Sequence, residues 1–306
     1  MKLNISQFLI IFLISCGPDY PNFDEQNAFN YLVTQCDFGP RNPGSIGYYN
    51  CMEFMIKELE GYADEIILQD FSYVEQKFRK KYDLVNIIAR FNPDAEFQTM
   101  ISCHWDTRPW ADSEENRKDR NQPIIGANDG ASGVAVLLEL AKIMSENPPP
   151  IGVSIVLFDG EDMGIPGENE TYCQGSRFFA KNLPIPKPYE AINLDMVGDK
   201  QLHLPVEKYS LEFHPELVRY LWKRAKELGL KAFDIKPQYA IYDDHVPLYV
   251  EAGIPSVNLI DFKYPNPYAN FWHTMDDVPE NCSEESLGQV GDLMVDYIYN
   301  REGQNW

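Results

Sequence analysis

The side chains best able to do chemistry in this sequence are few and unevenly placed. The chain has five histidines: His104, His203, His214, His245 and His273. His104 stands two positions before Asp106 in His-Trp-Asp, and His273 opens His-Thr-Met-Asp-Asp. A lone His after a strand is more often a hydrogen-bonded structural residue than a ligand. An Asp two positions on strengthens the case, because i and i+2 share one side of an extended strand, so Asp106 can orient the His104 ring. Asp129 lies in GANDGASG (126–133), just before a long apolar stretch. That pattern suits an ordinary N-cap turn, but a helix N-terminus also stabilises an anion and leaves the Asp129 carboxylate free for a metal. In FDGED (158–162), Glu161 and Asp162 are adjacent acids. Two neighbours can divide labour, one binding a metal and the other shuttling protons. Zinc accepts His nitrogen and carboxylate oxygen in tetrahedral geometry and keeps one position open in catalytic sites.

The elements around these residues explain how they could meet. Asp83 to Phe91, Gln98 to Cys103, Gly152 to Phe158, Ala191 to Leu194 and Ser256 to Ile260 are short Val- and Ile-rich runs, as buried strands of a largely parallel sheet tend to be. Residues 25–34, 46–60, Glu212 to Leu228 and Glu284 to Tyr299 have helical spacing. Ala131 to Met144 is apolar almost all round and should be buried. Strands alternating with helices predict an α/β fold, a three-layer α/β/α sandwich on a central, mostly parallel mixed sheet. His104 and Asp106, then Glu161 and Asp162, Asp195 and finally His273 each follow a different strand. Ligands of open α/β sheets bind beyond the carboxyl ends of the strands, so four strands deliver His, Asp and Glu to one rim.

Composition narrows the partners. The 306 residues carry a formal net charge of −21. Nucleic-acid binding needs clustered Lys and Arg, so it is excluded, and anionic membrane surfaces are repelled. The acidity suits solubility as well as a site for cations or amines. The first 15 residues place one Lys before an apolar run that falls short of the ~20 residues needed to span a bilayer. They read as a signal peptide. The run ends in Leu-Ile-Ser-Cys (13–16), which resembles a bacterial lipobox with Cys16 as the lipidated residue; a plain signal peptide and a chance apolar start are the alternatives. Acyl chains on Cys16 would anchor the protein by ~0.8 kcal/mol per buried methylene. The expected organisation is a signal peptide at 1–15, a tether at 16–27 and one catalytic domain at 28–306. The protein would be exported and lipid-anchored on the periplasmic side of a bacterial envelope, touching the membrane through the anchor alone. With Cys16 lipidated, Cys36, Cys51, Cys103, Cys173 and Cys282 remain, an odd count that leaves a free thiol. Cys36 and Cys51 could pair in an oxidising compartment.

The order HxD, GANDGASG, FDGED, NLDMVGD and WHTMDD, spread over residues 28 to 300, resembles the M28 group of zinc aminopeptidases and glutaminyl cyclases. The matching positions are His104, Asp129, Glu161, Asp162, Asp195 and His273. Aminopeptidases of the group use all six around two zinc ions, whereas the cyclases hold one zinc through the equivalents of Asp129, Asp162 and His273. Asp162 stands where the cyclases usually have Glu. Trp272 before the metal His, the Asp243-Asp-His-Val-Pro segment, the stretch GIPSVNLI (253–260) and HWDTRPWAD (104–112) resemble the cyclase branch. Asn258 stands where animal cyclases often have His.

The resemblance implies a zinc-dependent enzyme that converts peptide or protein N-termini with Gln to pyroglutamate and ammonia, and acts more slowly on Glu. Glu161 would be the proton shuttle, and Asp195 with Asp243 a shared-proton pair holding the leaving amide. Trp272 and Trp110 would wall the substrate, while His104 and Asp106 would support the centre or hold a second metal. A two-zinc aminopeptidase is the alternative; a zinc-binding lipoprotein that only captures peptides is a third reading, against which the intact Glu161 argues.

Overall fold

The computed structural model describes residues 20–75 and 79–301. The expected signal segment and Cys16 lie outside the described residues. The end of the expected tether belongs to the folded body. The Tyr20 hydroxyl donates to Asp296 (2.9 Å), Phe23 packs against the core, and Asp24 accepts from Asn27 N (2.9 Å) to cap α1, Glu25–Asp37. The domain thus begins before residue 28, since a cap must precede the turn it closes.

After α1 come α2 (Ile46–Tyr62), β1 (Glu65–Val74), β2 (Lys81–Phe91), β3 (Gln98–His104), α3 (Ala131–Glu146), β4 (Gly152–Phe158), α4 (Gln174–Lys181) and β5 (Glu190–Asp195). They are followed by β6 (Leu204–Val206), α5 (Lys208–Phe213), α6 (Pro215–Leu228), β7 (Phe233–Pro237), α7 (His245–Ala252), β8 (Ser256–Ile260), β9 (Pro265–Asn266), β10 (Ala269–Asn270) and α8 (Glu284–Asn300). Among the described residues the main sheet has six strands in the order β1-β2-β4-β3-β5-β8. From β4 to β8 every pairing is parallel, while β1–β2 and β2–β4 are antiparallel. This is the mixed, three-layer arrangement read from the sequence.

Alternation along the strands builds both covered faces. Ile87, Ala89, Ile101, Ile155, Leu157 and Ile192 join one core with residues of α1, α2, α3, α6 and α8. Ile88, Met100, Val156, Phe158 and Ala191 point the other way, onto Phe179 of α4 and Leu248 of α7. Helix α3 is buried nearly throughout, which its all-round apolar sequence requires. The single helix expected over 212–228 is two. Pro215 cannot donate a backbone hydrogen bond and pushes His214 out of helical geometry (ψ 69°), so α5 stops and α6 restarts there. Cys36 and Cys51 are both buried free thiols, so the pairing considered for them is not formed. No helix of the described residues is long and apolar enough to cross a membrane.

Candidate metal centre and active site

The parallel strands β3, β4, β5 and β8 all end at one rim, and the chemistry-bearing residues sit there. His104 is the last residue of β3 and Asp195 the last of β5. Glu161 and Asp162 follow β4 after Gly160, whose positive φ (+68°) turns the chain back over the sheet end. Asp129 lies just ahead of α3. There Gly130 passes so close to β3 that a Cβ would stand 2.5 Å from the His104 carbonyl oxygen and 2.7 Å from its ring, so only glycine fits. His273 comes from the loop after β8 and has φ +57°. A non-glycine residue is held there only when its surroundings over-determine it.

Asp129, Asp162 and His273 converge, with one donor atom of each within 4.8 Å of the others. His273 Nε2 is 3.0 Å from Asp162 Oδ1 and 3.7 Å from Asp129 Oδ2. Asp129 Oδ2 and Asp162 Oδ2 are buried with no hydrogen-bond partner. An unsatisfied carboxylate oxygen in the interior is costly, and two beside an imidazole nitrogen fit a divalent cation with oxygen and nitrogen ligands. His104, Asp129 and Asp195 form a second convergent group. Here the converging atoms already pair, because His104 Nε2 lies 3.0 Å from Asp129 Oδ1 and 3.3 Å from Asp195 Oδ1.

Asp106 acts differently from expectation. It stands 3.6 Å from His104 Nδ1, which is left without a hydrogen-bond partner. Its two oxygens instead accept from the backbone N–H groups of Glu161 (3.0 Å) and Asp162 (3.2 Å). It therefore fixes the loop that carries both acids, because that loop turns back across the end of β3. Three further residues position the centre. Asp112 accepts from His273 Nδ1 (3.3 Å) and from Arg108 Nη2 (2.6 Å), and Arg108 also reaches Asp162 Oδ1 (3.3 Å). These contacts hold the Asp112 carboxyl well below its usual range in spite of burial. Asp277 accepts from the backbone of Asn128 (2.7 Å) and Asp129 (3.2 Å). The sequence signals were present, as Asp112 follows Arg108 by four positions and Asp277 follows His273 by four.

A cavity of about 410 Å³ opens beside the three converging residues, and Glu161, Asp195, Asp243, Trp272 and His273 all line it. Trp272 stacks on the His273 ring, with centroids 3.7 Å apart. Trp110 is not part of this wall. Its ring lies 5.2 Å from the Arg108 guanidinium, which the carbonyls of Asp162 and Gly164 and the Asp112 carboxylate hold in place. The aromatic wall instead includes Phe262, Tyr172 and Tyr242, which the sequence reading missed. Burial first, then the charges of Asp162, Asp243 and Asp244, push the Glu161 carboxyl well above its usual range against the pull of His104. Cys173 donates its S–H to Glu161 Oε1 (3.4 Å). Burial and then the Asp243 charge push Asp195 up to about 8. No hydrogen bond joins Asp195 to Asp243 among the described residues. Asp243 accepts instead from Asn258 Nδ2 (2.6 Å), Asn193 Nδ2 (3.3 Å) and Asp244 N (2.5 Å).

Comparison with known proteins follows the same lines. The model of peptidase family M28 matches residues 86–298. The glutaminyl-peptide cyclotransferase of Bos taurus is 23% identical over 84% of this chain and 77% of its own length. A solved glutaminyl cyclase of Bacteroides thetaiotaomicron, bound to N-acetylhistamine, superposes with a TM-score of 0.88 at 33% identity, covering 92% of this chain and 99% of that one. A solved Zn-dependent exopeptidase of Parabacteroides distasonis has the same TM-score and coverage at 32% identity.

Proposed function

Since the chain belongs to peptidase family M28, we propose that it is a zinc-dependent glutaminyl-peptide cyclotransferase, converting N-terminal Gln, and more slowly Glu, of peptides to pyroglutamate. The observation that carries this reading is the convergence of Asp129, Asp162 and His273 at a cavity that His273 lines together with Glu161, Asp195, Asp243 and Trp272. The likeness to glutaminyl cyclases over nearly the whole chain supports it.

Asp129, Asp162 and His273 would hold one zinc ion, which supplies Lewis-acid polarisation of the substrate's side-chain carbonyl. The peptide brings its own nucleophile, so the chain needs none. The α-amine attacks the side-chain amide carbon, the C–N bond to the amide nitrogen breaks, and the products are a lactam and ammonia. Glu161 takes the proton from the amine and delivers it to the leaving nitrogen. A carboxyl held above its ordinary range is matched to both transfers near neutral pH. Asp195, pushed up to about 8, keeps a proton at neutral pH with which to hold the departing amide. Asp243, whose carboxylate converges with Glu161 and Cys173, is an acceptor held by Asn258, Asn193 and the Asp244 amide. The Trp272 indole keeps the folded substrate against this array, and such positioning is a large share of the rate gain.

The His104, Asp129 and Asp195 group favours the second reading, a two-zinc aminopeptidase. The unsatisfied oxygens lie in the other group, which supports one ion. Export with lipidation at Cys16 remains part of the proposal and rests on the sequence.

The test is to incubate the zinc-loaded protein with peptides that begin with Gln and with Leu, and to measure ammonia, peptide mass and metal content. Loss of one ammonia from the Gln peptide with one zinc per chain supports the reading. Release of free Leu with two zinc ions would replace it with the aminopeptidase.

A further inference from the structure

Next to the catalytic cavity lies a second, larger groove of about 640 Å³. The two share Phe262 and Trp272, so a chain whose first residue occupies the cavity passes directly from one into the other. The groove is within the size range of clefts that hold extended ligands. Its far lip is the β9–β10 hairpin, where Tyr268 is 97% exposed. An aromatic ring so fully in water offers a large contact surface at small entropic cost to an arriving chain.

The charge of the groove is one-sided. Glu114, Glu115 and Asp276 line it against a single cation among the described residues, Lys263. Lys263 is engaged elsewhere, its Nζ lying 5.1 Å from the centre of the Tyr239 ring. Glu114 is committed to the fold and accepts from the backbone N–H of Met275 (3.1 Å) and of Glu115 (3.1 Å). The exposed carboxylates of Glu115 and Asp276 have no hydrogen-bond or ion-pair partner among the described residues. The basic residues farther along the same loop, Arg117, Lys118 and Arg120, are not in the lining, and Arg120 donates to the Glu114 carbonyl (2.6 Å).

We propose that this groove binds the peptide beyond its reacting first residue and selects cationic side chains at the second and third positions, through Glu115 and Asp276. The proposal rests on the cyclase reading and adds the substrate class to it. A global charge of −21 would favour any cationic peptide, so the experiment must separate the groove from the whole surface.

The experiment compares kcat/KM of the zinc-loaded enzyme for Gln-Lys-Lys-Ala and Gln-Glu-Glu-Ala amides. The wild type should favour the lysine peptide about tenfold at low salt, as expected for a few exposed charge pairs, and much less at 1 M salt, where screening acts within a few ångströms. The double variant Glu115→Gln/Asp276→Asn should lose most of that ratio, and Glu115→Lys/Asp276→Lys should invert it. Glu60→Gln, an exposed acid on α2 far from the groove, should keep it. Equal ratios in the wild type and the double variant overturn the proposal while leaving the cyclase reading intact. If neither peptide is cyclised, both fall together.

Discussion

The two ends of strand β5 bury carboxylates in opposite ways. At its start, Glu190 is surrounded by compensating groups: Arg301 through Nε (3.0 Å) and Nη2 (2.7 Å), His214 Nε2 (2.9 Å) and the Tyr297 hydroxyl (2.6 Å). These partners hold its carboxyl below the usual range although burial pulls the other way. At the far end Asp195 is pushed up to about 8, and Glu161 across the cavity is raised as well. Nearby Asp129 and Asp162 each keep an oxygen without a partner. One strand thus joins a charge cluster the protein neutralises itself to one it leaves unbalanced. The first ties α6, β5 and α8 together. The second is arranged for something positive from outside.

The contrast can be broken by substitutions at either end. The largest effect belongs to Glu161→Gln, expected to lower turnover about 10²- to 10⁴-fold, the usual worth of a positioned acid–base group, while zinc content stays at the wild-type level by metal analysis. Equal loss of metal would make Glu161 a ligand and remove it from the proton path. At the other end, Arg301→Ala strips the strongest partner from a buried carboxylate. Breaking a buried pair costs about 3 to 5 kcal/mol, and the low end applies because His214 and Tyr297 remain. Denaturant unfolding should register that loss, with zinc content and kcat of the folded fraction unchanged. A variant that instead lost zinc would mean the two ends are one network.

The sequence made one end of this comparison far more readable than the other. Strands β2, β3, β4, β5 and β8 are covered on both faces and read as continuous apolar runs; the acids and histidines just after them stand out by contrast. Edge strand β1 has one buried residue, Phe71, and therefore no such run. Helices α4 and α7 are eight residues each, too short for a periodic pattern to declare itself. Asp106 was visible as a chemical residue but not in its role, since i and i+2 spacing cannot show that Asp106 accepts from amides of a loop 55 positions away. The Glu190 cluster was invisible for the same reason: its four side chains come from three elements, β5, the start of α6 and the end of α8, with no motif joining them.

A smaller effect sharpens the account of the metal end. Asp112 accepts from His273 Nδ1 and so fixes which nitrogen of the ring faces Asp162 and Asp129. Asp112→Asn should weaken zinc affinity about 10- to 100-fold, the usual worth of an outer partner of a metal-binding His, measured by competition with a chelator. Stability at saturating zinc should change little. An affinity within twofold of the wild type would show that the φ +57° loop orients His273 unaided.

The smallest expected effect, a few degrees in Tm, is the most direct test of charge balance. Asp195 is pushed up to about 8, and Asp277 up to about 7 by burial and then by the charge of Asp129. Carboxyls raised in this way favour the folded state fully below the ordinary Asp value of about 4. That contribution is lost as pH climbs through 7 to 8. Glu190 has the opposite sign: its contribution is present above the ordinary Glu value of about 4.3 and is lost only as pH falls below it. Between pH 5 and 8 the Glu190 carboxylate therefore contributes a constant, and the raised carboxyls set the slope: those of the metal end together with Asp261, pushed up by burial to about 7, and Asp199, to about 6. After chelation, Tm should fall from pH 5 to pH 8. At saturating zinc the cation offsets the mutual repulsion at the metal end and mass action favours the native state, so the fall should be smaller, with Asp261 and Asp199 supplying what remains. Asp195→Asn should make the chelated profile shallower, whereas Arg301→Ala should lower Tm at every pH without changing the slope. A chelated protein whose Tm rises toward pH 8 would reverse the sign of the imbalance on which the comparison depends.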